Sequence, residues 1–257
     1  MAKKYTDTGI ILKTKRLGES DRLVIIFGRK EGRIEAVAKG ANRILSRKAG
    51  SLDLLNKADF SLHRTKSLDI ITEVDLIDDY ADLKSTLQEA SEIFYILELL
   101  DKFLIGEEEN DQLFNLVESS LQALIDKELD SDLVISSLEL KLLFELGFGP
   151  VLTECLHCED ALEPNAKRVA ATSGQAGYLC RKHFNMAQFE DRLVEDNIIK
   201  IQKYMIATPI EQLSTININQ NLKNRLKSIQ HTWILGVLER DLKSMIFLDE
   251  VNSKNAK

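Results

Sequence analysis

The sequence predicts an α+β chain: a small five-stranded β-barrel over residues 1–80, then an all-α bundle interrupted by a short non-periodic module. Three observations predict it. Up to about residue 80 the apolar residues come in short β-branched runs, and beyond it they recur every three or four positions. Between 151 and 188 neither period holds, and all three cysteines gather there.

In chain order the strand-like runs are Thr8–Lys15, Arg22–Arg29, Arg33–Lys39, Leu54–His63 and Leu68–Ile77. They are broken at Gly18, at Lys30–Gly32, across the long segment Gly40–Asp53 and at Thr65–Ser67. Five short strands with one long connection suit a closed barrel of the OB-fold type, and an SH3-like barrel fits the count nearly as well.

From Tyr80 the period changes. Leu83, Leu87, Ala90, Ile93, Phe94, Leu97, Leu100, Phe103 and Leu104 mark one amphipathic helix. Leu113–Ile125 and Leu133–Leu146 give two more, the latter closed by Gly147 as a C-cap and by Pro150. The two glycines of Leu146–Pro150 thus end a helix and do not cradle a phosphate. After the module, Asp191–Tyr204 is helical, and Leu222, Leu226, Ile229, Trp233, Val237, Leu238, Leu242 and Met245 predict one long final helix with Trp233 as core. The expected divisions are a barrel domain at 1–80, helical parts at 81–150 and 189–248, the module at 151–188, and a disordered tail at 249–257.

Net charge is -7, which alone argues against a polyanionic partner. The average conceals two bodies. Residues 1–66 hold 16 Lys and Arg against 7 Asp and Glu, a sum of +9, leaving -16 for residues 67–257. Such a contrast points to a polyanion-binding module joined to something with another task. Met1–Lys4 lead into alternating residues instead of an apolar signal segment, and no run approaches the roughly 20 apolar residues of a membrane span. A soluble, cytoplasmic protein without a membrane partner is expected.

An odd, clustered set of three cysteines favours a metal site over disulfides. Cys155, Cys158, Cys180 and His183 stand in the segments CLHC and CRKH, each pair separated by two residues. Two tight turns of that kind supply the four tetrahedral positions of Zn²⁺, and a closed Cys3His shell makes the metal structural. The module has few large apolar residues, so a metal contributing on the order of 10 kcal/mol would hold it together. His157 is a rival fourth ligand, disfavoured because it sits inside the first turn.

The second cluster is basic. Lys39, Arg43, Arg47 and Lys48 lie in KGANRILSRKAG, supported by Lys13, Lys15, Arg16 and Arg22. Small barrels bind oligonucleotides through a strand face and loops, and a groove lined by Lys and Arg releases counterions from phosphate. Tyr5, Phe27 and Phe60 are the only barrel aromatics, so the expectation is backbone binding with little sequence preference. The acidic runs at Glu107–Asp111 and Asp126–Asp132 read as solvated helix ends. No Ser-His-Asp, paired-carboxylate or Walker pattern is present, so neither an enzyme nor a small-molecule substrate is expected. The rival reading is a zinc-stabilised adaptor whose barrel binds protein.

Four linked segments, TGIILKTKRLGESDRLVIIF, GRIEAVAKGANRILSR, LGFGPVLTECLHC and GQAGYLCRKH, together resemble the RecO family of bacterial DNA repair proteins, which are recombination mediators. The similarity runs to about residue 248. It implies an OB-fold, a helical bundle with a zinc module, binding to single- and double-stranded DNA, strand annealing, and help in loading the recombinase onto strands coated by single-strand-binding protein. It also implies RecR and single-strand-binding protein as partners and a nucleoid-associated location. His183 departs from the family's common four-cysteine set.

Overall fold

The computed structural model describes residues 4–43, 48–104, 111–163, 167–172, 175–186, 194–215, 218–238 and 242–255. By its contacts the chain divides into two compact units, Met1–Phe114 with Leu242–Lys257, and Asn115–Asp241.

The first unit holds strands β1 (Lys4–Leu17), β2 (Asp21–Gly28), β3 (Gly32–Ala38), β4 (Lys57–His63) and β5 (Asp69–Asp78). They form a closed barrel in the order β1-β2-β3-β5-β4, with β1 bonded to both β2 and β4. Closure runs through a short parallel pairing of β3 with β5 at Ala36–Asp69 and Val37–Ile70. This OB-like order settles the choice that strand count left open. A bulge between Ile11 and Lys13 lets β1 bury Ile10, Ile11 and Leu12 in succession while it bends around the barrel. The interior is filled by Ile11, Val24, Ile26, Ile34, Leu52, Phe60 and Leu62.

Leu54–Asn56 do not belong to the fourth strand as expected. Leu55 takes a left-handed φ of 71°, which no strand accommodates, and its side chain is fully buried. Its amide donates to the Ile11 carbonyl, and the Asn56 carbonyl accepts from Ile11, so this corner seals the bulge. Asp7 does the same for the β2–β3 turn, accepting the amides of Lys30 and Glu31. Burial outweighs those bonds and holds its carboxyl above the usual range. A Cβ at Gly28 would lie 2.3 Å from the Asp7 Oδ2, so a larger residue there would have to displace the Asp7 carboxylate.

The first helix begins later than its apolar period suggests. Ala81–Lys84 form a single 3₁₀ turn, and α1 (Leu87–Phe103) starts behind Thr86 in a capping box with Glu89. Arg33 of β3 closes its other end, donating to the Asp101 carbonyl at 2.9 Å and lying 2.8 Å from the Asp101 carboxylate. The helix α2 (Asp111–Asp126) follows.

In the second unit α3 (Ser131–Glu145) is buried on most sides, as befits a helix apolar all round. It ends in a Schellman motif: the Phe148 amide bonds the Leu143 carbonyl at 2.7 Å, the Gly147 amide bonds Phe144, and Gly147 has φ 79°. The module is ordered by a sheet the sequence reading did not foresee, β6 (Val151–Cys155), β7 (Lys167–Thr172) and β8 (Gln175–Cys180), in the order β6-β8-β7. Helices α4 (Asp196–Ala207) and α5 (Gln220–Leu238) complete the unit. Trp233 of α5 is fully buried, edge-on to Tyr178 and bonded to the Gly177 carbonyl, so it is core as expected.

The single long final helix is corrected to two. Residues 220–238 form α5, and α6 (Lys243–Asn255) is a separate helix belonging to the barrel's unit. Its beginning is capped from α1, where the Glu98 carboxylate accepts both the amide and the hydroxyl of Ser244. The tail expected from 249 is helical through Asn255, with Val251 buried.

Candidate metal centre and nucleic-acid surface

β6 and β8 are parallel neighbours, and each ends in a cysteine, Cys155 and Cys180. Each strand runs straight into a tight turn. After β6 the chain reverses at Glu159, φ 59°, whose amide bonds the Cys155 carbonyl and brings Cys158 back over the strand end. After β8 the 3₁₀ segment Arg181–Met186 carries His183. The four donor atoms lie within 4.8 Å of one another.

Separations inside the cluster are 3.8 Å from Cys158 Sγ to Cys180 Sγ, 3.7 Å from Cys155 Sγ to His183 Nδ1 and 3.3 Å from Cys180 Sγ to His183 Nδ1. Ligands placed tetrahedrally about 2.3 Å (sulfur) and 2.1 Å (nitrogen) from a zinc ion stand about 3.6–3.8 Å apart. The donor set therefore fits such an ion. His157 is not one of the four, and its ring packs on His183 at 4.5 Å between centroids. Burial tends to raise the Cys155 thiol, but amides of Cys180, Cys158 and His157 outweigh it and draw it down to about 6. Cys158 is displaced the opposite way: the Asp160 amide lowers it, but desolvation and the neighbouring sulfurs raise it more. A cation would relieve that conflict between adjacent thiols.

The eight basic residues singled out in the barrel fall into different roles. Lys13 reaches Asp101 of α1 at 3.4 Å. Arg22 spans the β3–β4 connection, donating to Asn42 Oδ1 at 3.2 Å and to the Leu52 carbonyl at 3.1 Å, with only 19% of its side chain exposed. Lys48 donates to the Ile71 carbonyl. Arg22 and Lys48 serve the barrel itself, whereas Lys13 pairs with the helix and its side chain stays 55% exposed. Arg16 bonds the Glu19 carbonyl within the β1–β2 hairpin and stays exposed. Lys15, Lys39 and Arg43 are exposed as well, and Arg47 lies outside the described residues.

Register brings the exposed ones to one end of the barrel. Arg16 pairs with Arg22, Arg22 pairs with Ala38, and Lys39 follows directly. The Arg43 amide bonds the Gly40 carbonyl, holding the next turn beside Lys39. Two acids, Asp21 and the exposed Glu19 of the same hairpin, lie at that end; the Gly40 amide, ahead of Lys39 and Arg43, lowers the Asp21 carboxyl.

Comparison with known families places this geometry. Residues 1–80 match the family model "Recombination protein O N terminal" and residues 85–246 match "Recombination protein O C terminal". The chain belongs to the RecO family. Among its relatives are proteins named "DNA repair protein RecO" from Pelotomaculum thermopropionicum, 29% identical over 249 residues (96% of this chain, 94% of the relative), and from Caldicellulosiruptor saccharolyticus, 30% identical over 241 residues (93% and 95%). That of Roseiflexus sp. is 30% identical over 250 residues, covering 96% of this chain and 86% of the relative. Each of these relatives is named as a DNA repair protein. Among the described residues no helix is long and apolar enough to cross a membrane.

Within this RecO-family chain the sequence reading missed the basic residues Arg29, Arg33 and Arg64. Arg33 grips α1, Arg29 lies over the Phe114 ring and bonds Asp111, and Arg64 lies over Tyr5. Strand pattern alone gives no sign of such partners, because they come from α1, α2 and the neighbouring strand β1.

Proposed function

We propose that this chain is a recombination mediator that binds single- and double-stranded DNA on its barrel, anneals strands, and helps load the recombinase onto DNA coated by single-strand-binding protein. Lys15, Arg16, Lys39 and Arg43 hold phosphates, with Arg47 as a further candidate on the same connection. The observation that carries the reading is the exposed basic end of a +9 barrel segment attached to a chain that is otherwise -16. Contacts of this kind attract backbone of any sequence, and holding two strands on one surface raises their local concentration. RecR and single-strand-binding protein are the proposed protein partners, and the cytoplasm, at the nucleoid, is the proposed location.

One Zn²⁺ per chain is proposed at Cys155, Cys158, Cys180 and His183. Four protein ligands leave no open position, so the ion supplies folding free energy and no catalytic step.

Annealing of complementary fluorophore-labelled oligonucleotides, followed by energy transfer, tests the function. The full chain should accelerate pairing at physiological salt, less so as salt rises. No acceleration at any ratio of protein to strand would contradict the proposal.

A further inference from the structure

Away from the basic end, a groove of about 460 Å³ opens between the first half of β3 and the β4–β5 connection, residues 64–68. β5 pairs with β3 only from Ala36 onward, so the wall formed by Arg33, Ile34 and Glu35 faces that connection across open space. The volume falls within the roughly 300–1,000 Å³ typical of small-ligand sites. In small barrels of this order, the β4–β5 loop and the β2–β3 face are surfaces used for oligonucleotides.

The groove's chemistry differs from that of the basic end. Its lining includes three cations, Arg33, Arg64 and Lys66, against three carboxylates, Glu31, Glu35 and Asp69. A phosphate gains little from entering a balanced site, but an uncharged, planar, hydrogen-bonding group does not have that disadvantage. Of the barrel aromatics, Phe27 and Phe60 are buried in the core, and Tyr5 alone reaches this surface. Arg64 lies over Tyr5, its guanidinium carbon 4.6 Å from the ring centroid, and its ion pair with Glu31 holds it there. The Arg64 side chain remains 42% exposed, which leaves part of it accessible to a stacking base. Bases stack on such planes as readily as on aromatic rings. Beside it Glu35, 47% exposed and oriented by Arg33, offers a carboxylate acceptor, which suits an exocyclic amino group.

We propose that this groove captures one unpaired nucleobase, stacked on the Tyr5–Arg64 pair with its amino group bonded to Glu35, while Lys66 meets the adjoining phosphate. Cytosine and adenine are favoured over thymine, which has no amino group. The proposal rests on DNA binding by the barrel and adds to it a base preference that the sparse aromatics did not suggest.

Anisotropy titrations of the full chain with dC and dT 15-mers at one salt concentration and neutral pH test it. The dC strand should bind about three- to tenfold more tightly. Glu35→Gln, nearly isosteric, should bring that ratio close to one, and Arg64→Ala should weaken both strands, each variant checked for a wild-type melt. Lys66→Ala should weaken both equally and leave the ratio intact. Equal affinity of the wild type for dC and dT, or a ratio that survives Glu35→Gln, overturns the base-capture site while leaving backbone binding standing. No binding to either strand would overturn both readings.

Discussion

The amide of Cys180 donates to the Cys155 sulfur at 3.3 Å, a bond that ties together the ends of two parallel neighbours, β6 and β8. It sets two of the four donors in place through the backbone, which is why a module of modest apolar content can present a preformed site. Elemental analysis of the purified chain should find one zinc per chain. Cys155→Ser should lower the melting temperature more than Cys158→Ser, because Cys155 is fully buried and accepts several amides whereas Cys158 is partly exposed. Protein without metal that neither gains zinc on addition nor changes its melt with a chelator would leave the cluster as three thiols and a histidine.

Glu98 couples α1 to the start of α6. Burial opposes its ionisation, but bonds from the Ser244 hydroxyl and the Ser244 and Lys243 amides outweigh that and hold its carboxyl below the ordinary value. A folded-state value depressed below the unfolded one stabilises the protein above the unfolded value, and that contribution is lost as pH falls through the lower, folded one. Glu98→Gln should therefore cost about 1 kcal/mol near neutral pH. The gap between wild type and variant should narrow as pH drops below about 4.5. Denaturant melts at several pH values measure this; a gap that is independent of pH would refute the charged cap.

Arg22 separates structural from binding cations. Its guanidinium joins Asn42, Leu52 and Asp53 across the long β3–β4 connection. Arg22→Ala should destabilise the barrel by about 1–3 kcal/mol, since it leaves carbonyls without a charged donor. Lys39→Ala and Arg43→Ala, on exposed side chains, should stay within about 0.5 kcal/mol of wild type. Thermal melts decide it, and equal stability of all three variants would contradict the assignment of Arg22 as a loop anchor.

Much of this was legible beforehand. Short β-branched and aliphatic runs located all five barrel strands, and the spacing of Cys155, Cys158, Cys180 and His183 located the Cys3His cluster, because both signals are short-range. Thr86 and Glu89 also spell a capping box, which would have placed the start of α1 at Leu87. What was not legible depends on distant partners. Leu238 and Leu242 continue one apolar stripe with no Gly or Pro between them, and only the Glu98 cap shows where a second helix starts. Likewise Arg22, Lys48 and Lys15 look alike as charges in sequence, and only the carbonyls around the first two distinguish anchors from free cations.

Salt-dependent anisotropy tests most directly whether phosphate is held at the basic end of the barrel, as proposed. Single-stranded DNA should be titrated with the full chain and with Lys39→Glu/Arg43→Glu at several salt concentrations. Wild type should lose affinity steeply with salt, and the folded double variant should bind more weakly, with its logarithmic slope reduced by about 0.7 for each lost phosphate contact. Unchanged affinity and slope in a variant with a wild-type melt would contradict the account.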